Sequence, residues 1–436
     1  MNHPLLHNII EEKRPEIEAW FVQKRAEVPL PIYGSVDIRD ADWKVAVVDA
    51  NHFPAGFNNV NDDEKDDLAR LLSEHIRRQN PDCQWVHLYP ESHSRNQAYV
   101  ENVKAIQEIV ISAGYKCTVG SPELADFDDL HGLSGPLVLN KTESIDDVLL
   151  VDGKQPDMIL LNNDLSGGIL PGISEMNVTP NPSMGWHLRR KSEHFEALEY
   201  YTNQMASLLD IDPWHLMADW FVSEDKCLDE DSCRIRLASE IDAFIGKIQS
   251  KYEALGINRK PVVFLKNDRG TYGLGILVLS EGKELLNLSN RKMKKLMYSK
   301  SGSKVENFLI QEGVPTAMRF NGHTVEPVVY LVDGQAASWF YRMNKKKSDQ
   351  DNLNSPSSVF ANRADVDEIL TARARNWHEL VAELSMLAMG RELQLRSQNP
   401  LDGSELIKST PVPIFIKVCF VLFFIKKIHA SAKSST

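Results

Sequence analysis

A lysine that stands directly before a glycine-rich turn is the feature of this sequence best suited to chemistry. Lys266 follows the apolar run 262–265, and Gly270, Gly273 and Gly275 precede a second apolar run. Glycine permits positive φ and lets backbone N–H groups approach phosphate oxygens that a Cβ would obstruct. The lysine adds a compact positive charge beside them. The segment predicts a hairpin that closes over the phosphates of a nucleotide or, if no ligand binds, a plain tight hairpin.

The order of the elements around this turn argues against the commoner nucleotide-binding motifs. A Walker loop or a dinucleotide fingerprint needs its glycines between a strand and a helix, whereas residues 276–279 are typical of a strand. A protein kinase has its glycine loop before the lysine strand, and here the lysine comes first. A nucleotide bound at this turn would therefore sit in a different architecture.

The composition is that of a globular protein without a general affinity for nucleic acid. Its 436 residues suffice for two or three structural units, and 42% hydrophobic with 25% charged residues is ordinary for a soluble chain. The formal net charge of −12 argues against a nucleic-acid binder, which needs a basic surface to displace phosphate counterions. A local basic cluster could still hold a small anionic ligand.

Cysteine spacing and the N-terminal residues predict a cytoplasmic protein. The five cysteines form no C-x-x-C pair and no zinc spacing with nearby histidines, which predicts free thiols in a reducing compartment. Charged residues between 11 and 18 interrupt the apolar core that a signal peptide needs. The apolar run 412–425 contains Lys417 and is short for a bilayer, so we expect no transmembrane segment. It predicts a buried terminal strand, an irregular tail, or peripheral membrane contact through Lys426 and Lys427.

Strand-like and helix-like segments alternate in the first half of the chain. The strand-like runs fall at 43–49, 85–89, 135–139 and 158–161, and helical periodicity falls at 9–26, 63–79 and 99–113. This alternation predicts an α/β fold with a mainly parallel sheet. In such sheets ligands gather beyond the carboxyl ends of strands, where the segments 49–59 and 162–168 lie.

A change of periodicity predicts the domain organisation. Helical spacing dominates from 193 to 256, and strand-like patterns follow Pro261. We expect an N-terminal α/β substrate-binding region at 1–258 and a nucleotide-binding region at 259–398. An atypical C-terminal tail, 399–436, completes the chain.

Several segments, taken in order, carry a resemblance to a known superfamily. They are the lysine and glycine segment 262–278 and the later segments 307–314, 325–334, 339–342 and 351–354. In this order the second half resembles the ATP-grasp superfamily, and more particularly the proteobacterial type of glutamate–cysteine ligase. The N-terminal segments 31–39, 53–59 and 185–195 extend the resemblance over roughly residues 1–390. It implies an ATP-grasp-like C-terminal half preceded by the N-terminal α/β domain.

The resemblance implies an ATP site built on the lysine hairpin and on a later hinge. The implied nucleotide-binding residues are Lys266, Gly270, Thr271, Gly273, Gly275, Gln311, Glu312 and Val314. The lysine would reach the α- and β-phosphates while the glycine turn closes over them as a lid that excludes water. In the hinge, backbone groups and the glutamate carboxylate would bind adenine and ribose. The alternative for the hinge is a plain edge strand that ends at Pro315.

The resemblance also implies a magnesium site, because Mg²⁺ needs hard oxygen ligands with room for phosphate oxygens and water. Glu326 precedes a proline at the head of an apolar strand. Asn352 and Asn354 have the i, i+2 spacing that points two side chains the same way in an extended segment. The implied metal ligands are these three residues. The sequence departs from the family at Asn352, where a carboxylate is more usual.

Cationic and amide residues complete the implied site. Arg342 follows an aromatic strand, and its guanidinium could clamp the transferring phosphoryl group or form a surface salt bridge. A dicarboxylate substrate needs cationic and amide partners. The polar residues available in the N-terminal matches are Arg39, Asn58, Asn59, Arg189, Lys191 and His194.

The function that the resemblance implies is an ATP- and Mg²⁺-dependent carboxylate–amine ligase. It would join the γ-carboxyl of glutamate to the amine of cysteine through an acyl phosphate, the first step of glutathione synthesis. Such chemistry depends on charge neutralisation and positioning more than on a protein nucleophile. Two alternatives are an ATP-grasp ligase with another acid and amine, such as a glutathione or peptide synthetase, and an inactive nucleotide-binding protein.

Overall fold

The computed structural model describes residues 3–174, 176–224, 228–269, 275–298, 304–305, 307–355, 357–362 and 368–398. Three residues of the expected lid, Gly270, Thr271 and Gly273, lie outside the described residues, and so does the tail 399–436. Residues 1–397 form one compact unit. No helix among the residues described is long and apolar enough to cross a membrane.

The helices and strands follow each other along the whole unit. The helices are α1 His3–Glu12, α2 Arg14–Glu27, α3 Lys65–Gln79, α4 Gln97–Ser112, α5 Lys191–Leu209, α6 Asp231–Ala254, α7 Lys283–Leu286, α8 Asn290–Met297 and α9 Glu368–Gln398. The strands are β1 Tyr33–Asp40, β2 Val45–Asn51, β3 Trp85–Pro90, β4 Lys116–Val119, β5 Asp129–Gly132, β6 Gly135–Val138, β7 Thr142–Ile145, β8 Val148–Val151, β9 Met158–Asn162, β10 Val178–Thr179, β11 Trp220–Ser223, β12 Val263–Asn267, β13 Leu277–Leu279, β14 Phe308–Glu312, β15 Arg319–Phe320, β16 His323–Val332, β17 Gln335–Met343 and β18 Val359–Asn362.

A parallel sheet lies in the first half of the chain, in the order β10–β9–β3–β4. The prediction of an α/β fold with a parallel sheet is thereby confirmed. Its β3 and β9 share an apolar cluster with α3 and α4, to which Val86, Leu88, Leu68 and Ile106 belong. The predicted strand 135–139 is present as β6, but it pairs with β5 in a separate antiparallel hairpin.

The central sheet combines strands from both halves of the chain. Its order is β18–β17–β16–β1–β2, and β15 pairs with β16. The strand predicted at 43–49 is present as β2, but it lies antiparallel to β1 in this sheet, which corrects its expected place in the parallel sheet. Periodicity reveals that a strand is buried and cannot reveal its pairing partner. The central sheet is thus shared between the two regions that the sequence suggested as separate.

A small antiparallel sheet, β11–β14–β12–β13, holds the strand that carries Lys266. Alternation divides the side chains of β12 between two faces. Val263 and Leu265 belong to an apolar cluster that includes Ile241 of α6 and Leu296 of α8. Packing of this face directs Lys266 to the opposite face, where a pocket lies.

Candidate active site

A pocket of about 630 Å³ opens between the central sheet and the small antiparallel sheet. The residues that line it come from β1, β2, β12, β14 and β16, from the start of α5 and from the loop after β17. They are Asp37, Arg39, Val48, Asp49, Lys191, Phe264, Lys266, Asn267, Ile276, Gln311, Val314, Glu326, Asn352 and Asn354.

Strand alternation explains why β1 contributes two charged residues to this pocket. Asp37 and Arg39 are two residues apart and line the pocket together. Val36 precedes Asp37, and Ile38 lies between Asp37 and Arg39. Both pack in the apolar cluster formed with α5 and α9. The same period of two brings Gln311 of β14 onto the pocket face beside Lys266.

The ammonium of Lys266 is held in place by two oxygen acceptors. Its Nζ lies 2.8 Å from the backbone carbonyl of Val48 and 2.7 Å from Oε1 of Gln311. The side chain is buried, and burial lowers its pKa to about 8 although the carboxylate of Asp49 acts in the opposite direction. Lys266 is therefore a positioned cation whose charge is readily titrated above neutral pH.

Asp49 and Lys191 form an ion pair on the wall of the pocket. Burial tends to raise the pKa of Asp49, but the ammonium groups of Lys191 and Lys266 outweigh it and lower that pKa to about 2. Lys191 also lies 4.7 Å from the ring centroid of Trp186, which fixes it further. The pair presents one negative and one positive group side by side to the pocket.

Two arginines and two carboxylates form a buried cluster on the central sheet. The guanidinium of Arg342 binds Asp37 bidentately, at 2.7 and 3.1 Å, and binds Oε1 of Glu326 at 2.8 Å. Nε of Arg39 lies 2.6 Å from Oε2 of Glu326. Burial raises the pKa of Asp37 even with Arg342 beside it. Burial would lower the pKa of Arg342, but Asp37 and Glu326 outweigh it and raise that pKa, so the guanidinium stays charged.

The loop after β17 contributes two amide side chains, Asn352 and Asn354, to the pocket. Between them Leu353 is fully buried and anchors the loop. Oδ1 of Asn352 accepts a hydrogen bond from the backbone N–H of Asn354 at 3.0 Å. The Nδ2 of Asn344, itself buried, donates to Oγ of Ser355 at 2.8 Å. The first bond orients the amide of Asn352, and the second holds the end of the loop.

The donor set suits a hard divalent cation that shares its coordination with a ligand. Glu326, Asn352 and Asn354 all offer oxygen to one pocket. Within the described part of the chain, no group of three or more His, Cys, Asp or Glu residues is arranged to hold a metal ion. A site with one carboxylate and two amides fits Mg²⁺, which is usually bound by one or two carboxylates plus substrate phosphates and water.

The structure brings some of the expected nucleotide residues to the pocket and separates others from it. Lys266, Gln311 and Val314 line it. Glu312 projects from the other face of β14, where its carboxylate pairs with the buried Lys44 and accepts from the N–H of Asp219 at 3.0 Å. Gly275 has a φ of +73° and borders the undescribed segment, but it is not among the lining residues described.

Of the six residues expected to bind substrate, the structure brings Arg39 and Lys191 to the pocket. Asn58 is exposed, and the Nδ2 of Asn59 donates to the carbonyl of Gly56 at 3.1 Å in its own turn. Arg189 and His194 are buried behind the pocket, where both bind the carboxylate of a residue of α9. Arg342 touches two pocket carboxylates, but it is not itself among the described lining residues.

The carboxylate that binds Arg189 and His194 is Glu392, which the sequence did not single out. Its oxygens lie 2.8 and 3.1 Å from the guanidinium of Arg189 and 2.5 Å from Nδ1 of His194. Burial tends to raise the pKa of Glu392, but Arg189 and His194 outweigh it and hold that pKa well below the usual range. No local pattern marks this residue, because its partners lie far away in the chain.

Two acidic residues of the pocket, Asp37 and Asp49, were not among the site residues expected from the sequence. Asp37 lies in the segment 31–39 and has the i, i+2 spacing with Arg39 that points both to one side. Asp49 ends a strongly apolar strand, which is a signal for a residue at a functional edge. Either signal could have led to these carboxylates.

Comparison with known proteins identifies a family and a closely similar solved structure. The family model described as glutamate-cysteine ligase (GshA) matches residues 7–393. A solved structure from Methylobacillus flagellatus KT, provisionally described as a gamma-glutamylcysteine synthetase, superimposes with a TM-score of 0.81 at 32% sequence identity. The match covers 90% of this chain and 96% of that chain.

A more distant structure adds no argument. A glutathione synthetase-like effector (GSS30) from Globodera pallida aligns with a TM-score of 0.37 and 9% identity, over 83% of this chain and 84% of that chain. No curated protein sequence matches the chain at a significant level.

Proposed function

The chain belongs to the glutamate–cysteine ligase family, and we propose the following mechanism by which its pocket ligates glutamate to cysteine. An oxygen of the γ-carboxylate of glutamate attacks the γ-phosphorus of ATP, and the bond to the leaving oxygen of ADP breaks. The amine of cysteine then attacks the acyl carbon of the resulting acyl phosphate. Inorganic phosphate leaves, the nitrogen loses a proton, and the amide remains.

The observation that carries this proposal is the pocket in which a positioned lysine faces the oxygen donors of another sheet. Lys266 lies on the small antiparallel sheet, and Glu326 lies on the central sheet across the same cavity. An ATP-grasp arrangement, in which two antiparallel sheets enclose the nucleotide, accounts for this pairing. In it, residues 259–398 supply most of the nucleotide site and residues 1–258 most of the substrate site, with the central sheet shared.

Lys266 would bind the phosphates of ATP. An ammonium has three N–H groups, and two of them are directed to Val48 and Gln311. The third can donate to a phosphate oxygen without any change in this arrangement. A cation positioned before the reaction stabilises the charge that develops on phosphate oxygens and loses no energy to reorganisation.

The charge balance of the pocket supports a role for Mg²⁺. Among the described lining residues the three cations Arg39, Lys191 and Lys266 face the three carboxylates Asp37, Asp49 and Glu326. A triphosphate would add net negative charge that this balanced lining does not offset. Glu326, Asn352 and Asn354 would hold Mg²⁺, which supplies positive charge between the phosphate oxygens when it is bound.

The ion pair of Asp49 and Lys191 would receive the amino-acid substrate. A free amino acid carries an ammonium and carboxylates, which match the carboxylate of Asp49 and the ammonium of Lys191. Asp49, with its pKa of about 2, stays ionised at neutral pH. Arg342 would act by neutralising Asp37 and Glu326, because both of its Nη atoms are bonded to their carboxylates.

ADP release from the purified protein tests this function directly. We expect release only when ATP, Mg²⁺, glutamate and cysteine are all present, with Lys266→Ala as an inactive comparison. Release that is indifferent to glutamate would contradict the proposal. Release with a different acid and amine would identify another ligase of this superfamily, and nucleotide binding without turnover would identify an inactive relative.

A further inference from the structure

We propose that Arg39 is a positioning residue that fixes the metal-binding loop against Glu326, and that it does not bind the amino-acid substrate. The inference rests on the proposed function, because it assigns a role within that site. It departs from the expectation drawn from the sequence, in which Arg39 belongs to the substrate-binding residues. The role of Arg39 follows from the acceptors that its guanidinium already has.

Three donor atoms of Arg39 are engaged inside the protein. Its Nε lies 2.6 Å from Oε2 of Glu326. Its Nη1 lies 3.1 Å from the backbone carbonyl of Asp349, and its Nη2 lies 2.7 Å from the backbone carbonyl of Asp351. The planar fork that could clasp a substrate carboxylate therefore spans two carbonyls of the loop that leads to Asn352. Arg39 joins the carboxylate donor of the site to the segment that carries the amide donors.

Other bonds hold the loop at points away from Glu326. Its centre is anchored by the buried Leu353, whose carbonyl accepts from Nδ2 of Asn344 at 3.4 Å, and both residues follow β17. The carboxylate of Asp349 accepts from Arg259 at 2.6 Å, and Arg259 is not among the described residues that line the pocket. Arg39, in contrast, contacts both Glu326 and this loop.

The contacts of Arg39 fit this role better than they fit substrate binding. The residue is 4% exposed, and such a buried charge needs acceptors within the protein. Of the five N–H groups of its guanidinium, three already have acceptors, which are the carboxylate of Glu326 and two carbonyls of the loop. A substrate carboxylate that took the N–H groups bonded to the carbonyls would have to break both bonds to the loop.

The test compares metal binding with substrate binding in Arg39→Lys. Lysine keeps the positive charge but lacks the fork, so it cannot hold Glu326 and two carbonyls together. We expect the Mn²⁺ concentration for half-saturation, measured by electron paramagnetic resonance with a non-hydrolysable ATP analogue, to rise about 10- to 100-fold. The KM for glutamate should stay within about twofold, because the substrate partners are unchanged.

Arg259→Lys is the matched control, since Arg259 contacts the same loop through the side chain of Asp349. We expect its Mn²⁺ half-saturation and its KM for glutamate both to stay within about twofold of the wild type. A rise in the KM for glutamate that exceeds the change in Mn²⁺ affinity of Arg39→Lys would overturn the inference. So would equal losses of Mn²⁺ affinity in the two variants, or a wild-type protein that binds no Mn²⁺.

Failure of this inference can be distinguished from failure of the proposed function. Mn²⁺ binding with the analogue does not require turnover, whereas ADP release with glutamate and cysteine does. If Arg39→Ala fails to fold in thermal denaturation, Arg39→Lys still decides between the two roles, because it keeps the buried charge. A protein that binds Mn²⁺ as expected but turns over another amino-acid pair would retain the role of Arg39 and lose the assigned substrate.

Discussion

The carboxylate of Asp268 accepts two hydrogen bonds from Ser192, one from the backbone N–H and one from the hydroxyl, each of 2.8 Å. The backbone carbonyl of Asp268 accepts a third from the N–H of Lys191 at 2.8 Å. Asp268 directly follows β12, and Lys191 is the first residue of α5. The strand that carries Lys266 and the helix that carries Lys191 are therefore joined through Asp268.

Asp268→Ala should weaken both the helix start and the reaction. The N-terminus of α5 would lose an anionic acceptor, which costs about 1–2 kcal/mol of unfolding free energy. The strand of Lys266 and helix α5 would lose the two bonds between Ser192 and the Asp268 carboxylate, while the bond from the N–H of Lys191 to the backbone carbonyl remains. We expect the looser positioning of Lys191 and Lys266 to lower kcat/KM at least about tenfold. Urea denaturation and steady-state ADP release measure the two effects.

Asp242→Ala is a matched control for Asp268→Ala. The carboxylate of Asp242 accepts from the N–H of Gly282 at 2.6 Å at the start of α7, outside the pocket. It should lose a similar amount of stability, while kcat/KM stays within about twofold. Similar losses of kcat/KM in both variants would show that Asp268 contributes through stability alone.

Lys266→Ala should weaken the binding of phosphates without unfolding the protein. The variant removes the ammonium that faces the cavity, and we expect kcat to fall at least about 100-fold. Isothermal titration with ATP analogues should show weakened binding as well. Lys247→Ala is the control, because that lysine is 69% exposed, pairs with Asp219 and lies outside this pocket. Unchanged nucleotide affinity in Lys266→Ala would remove Lys266 from the phosphate site.

The titration of Lys266 predicts opposite effects of alkaline pH on activity and on stability. Burial lowers its pKa from 10.5 to about 8 in the folded protein. As pH rises through about 8 the ammonium loses its proton, so kcat/KM for ATP should fall on that limb. Between pH 8 and 10.5 the unfolded chain binds more protons at this site, so the contribution of Lys266 to stability rises with pH.

A variant with a permanent charge checks the origin of this alkaline limb. In Lys266→Arg the guanidinium stays protonated, so any remaining activity should keep its kcat/KM for ATP to a higher pH. If the limb stays near pH 8 in this variant, another group causes it.

Strand alternation explains why two of the expected site residues line the pocket. Lys266 was expected from its local pattern and Gln311 from the family resemblance, and alternation directs both to one face. Glu312 is the neighbour of Gln311, and the same alternation turns it to the other face. Its partner there, Lys44, lies in the other half of the chain, so no local pattern reveals the pair.

The same limit explains the polar residues that lie behind the pocket. A charged residue in a family segment was expected to meet substrate, yet Arg189 and His194 meet a buried counter-charge. Whether such a side chain contacts substrate or a buried counter-charge depends on the packing of α9, which is remote in sequence. The pairing of β1 with β16 is a similar case, since β1 was not among the expected strands and the apolar pattern of β16 does not identify its neighbour.

Two glutamates of α9 should respond very differently to replacement by glutamine. Glu392 is ionised, neutralises the charge of Arg189 in the interior and binds Nδ1 of His194, whose pKa is lowered by burial. Glu392→Gln leaves the guanidinium without its counter-charge, and we expect a loss of about 3–5 kcal/mol in unfolding free energy. Arg189 also donates to the carbonyl of Ala50 at 2.6 Å, next to Asp49, so kcat/KM should fall as well.

Glu383→Gln provides the contrast on the same helix. Burial raises the pKa of Glu383 to about 7 although Arg25 lies 2.7 Å away, so near neutral pH this carboxyl is already partly protonated. Glutamine resembles the protonated form, and we expect a change in unfolding free energy of no more than about 1 kcal/mol. Because the folded-state pKa is raised from 4.5 to about 7, the contribution of Glu383 to stability is fully present below pH 4.5 and is lost as pH rises to about 7. The difference in unfolding free energy between wild type and Glu383→Gln, measured at intervals from below pH 4.5 to above pH 7, should change across this window and be constant above it. Equal losses of unfolding free energy in Glu392→Gln and Glu383→Gln at pH 7 would mean that the charge of Glu392 does not hold α9 in place beside the pocket.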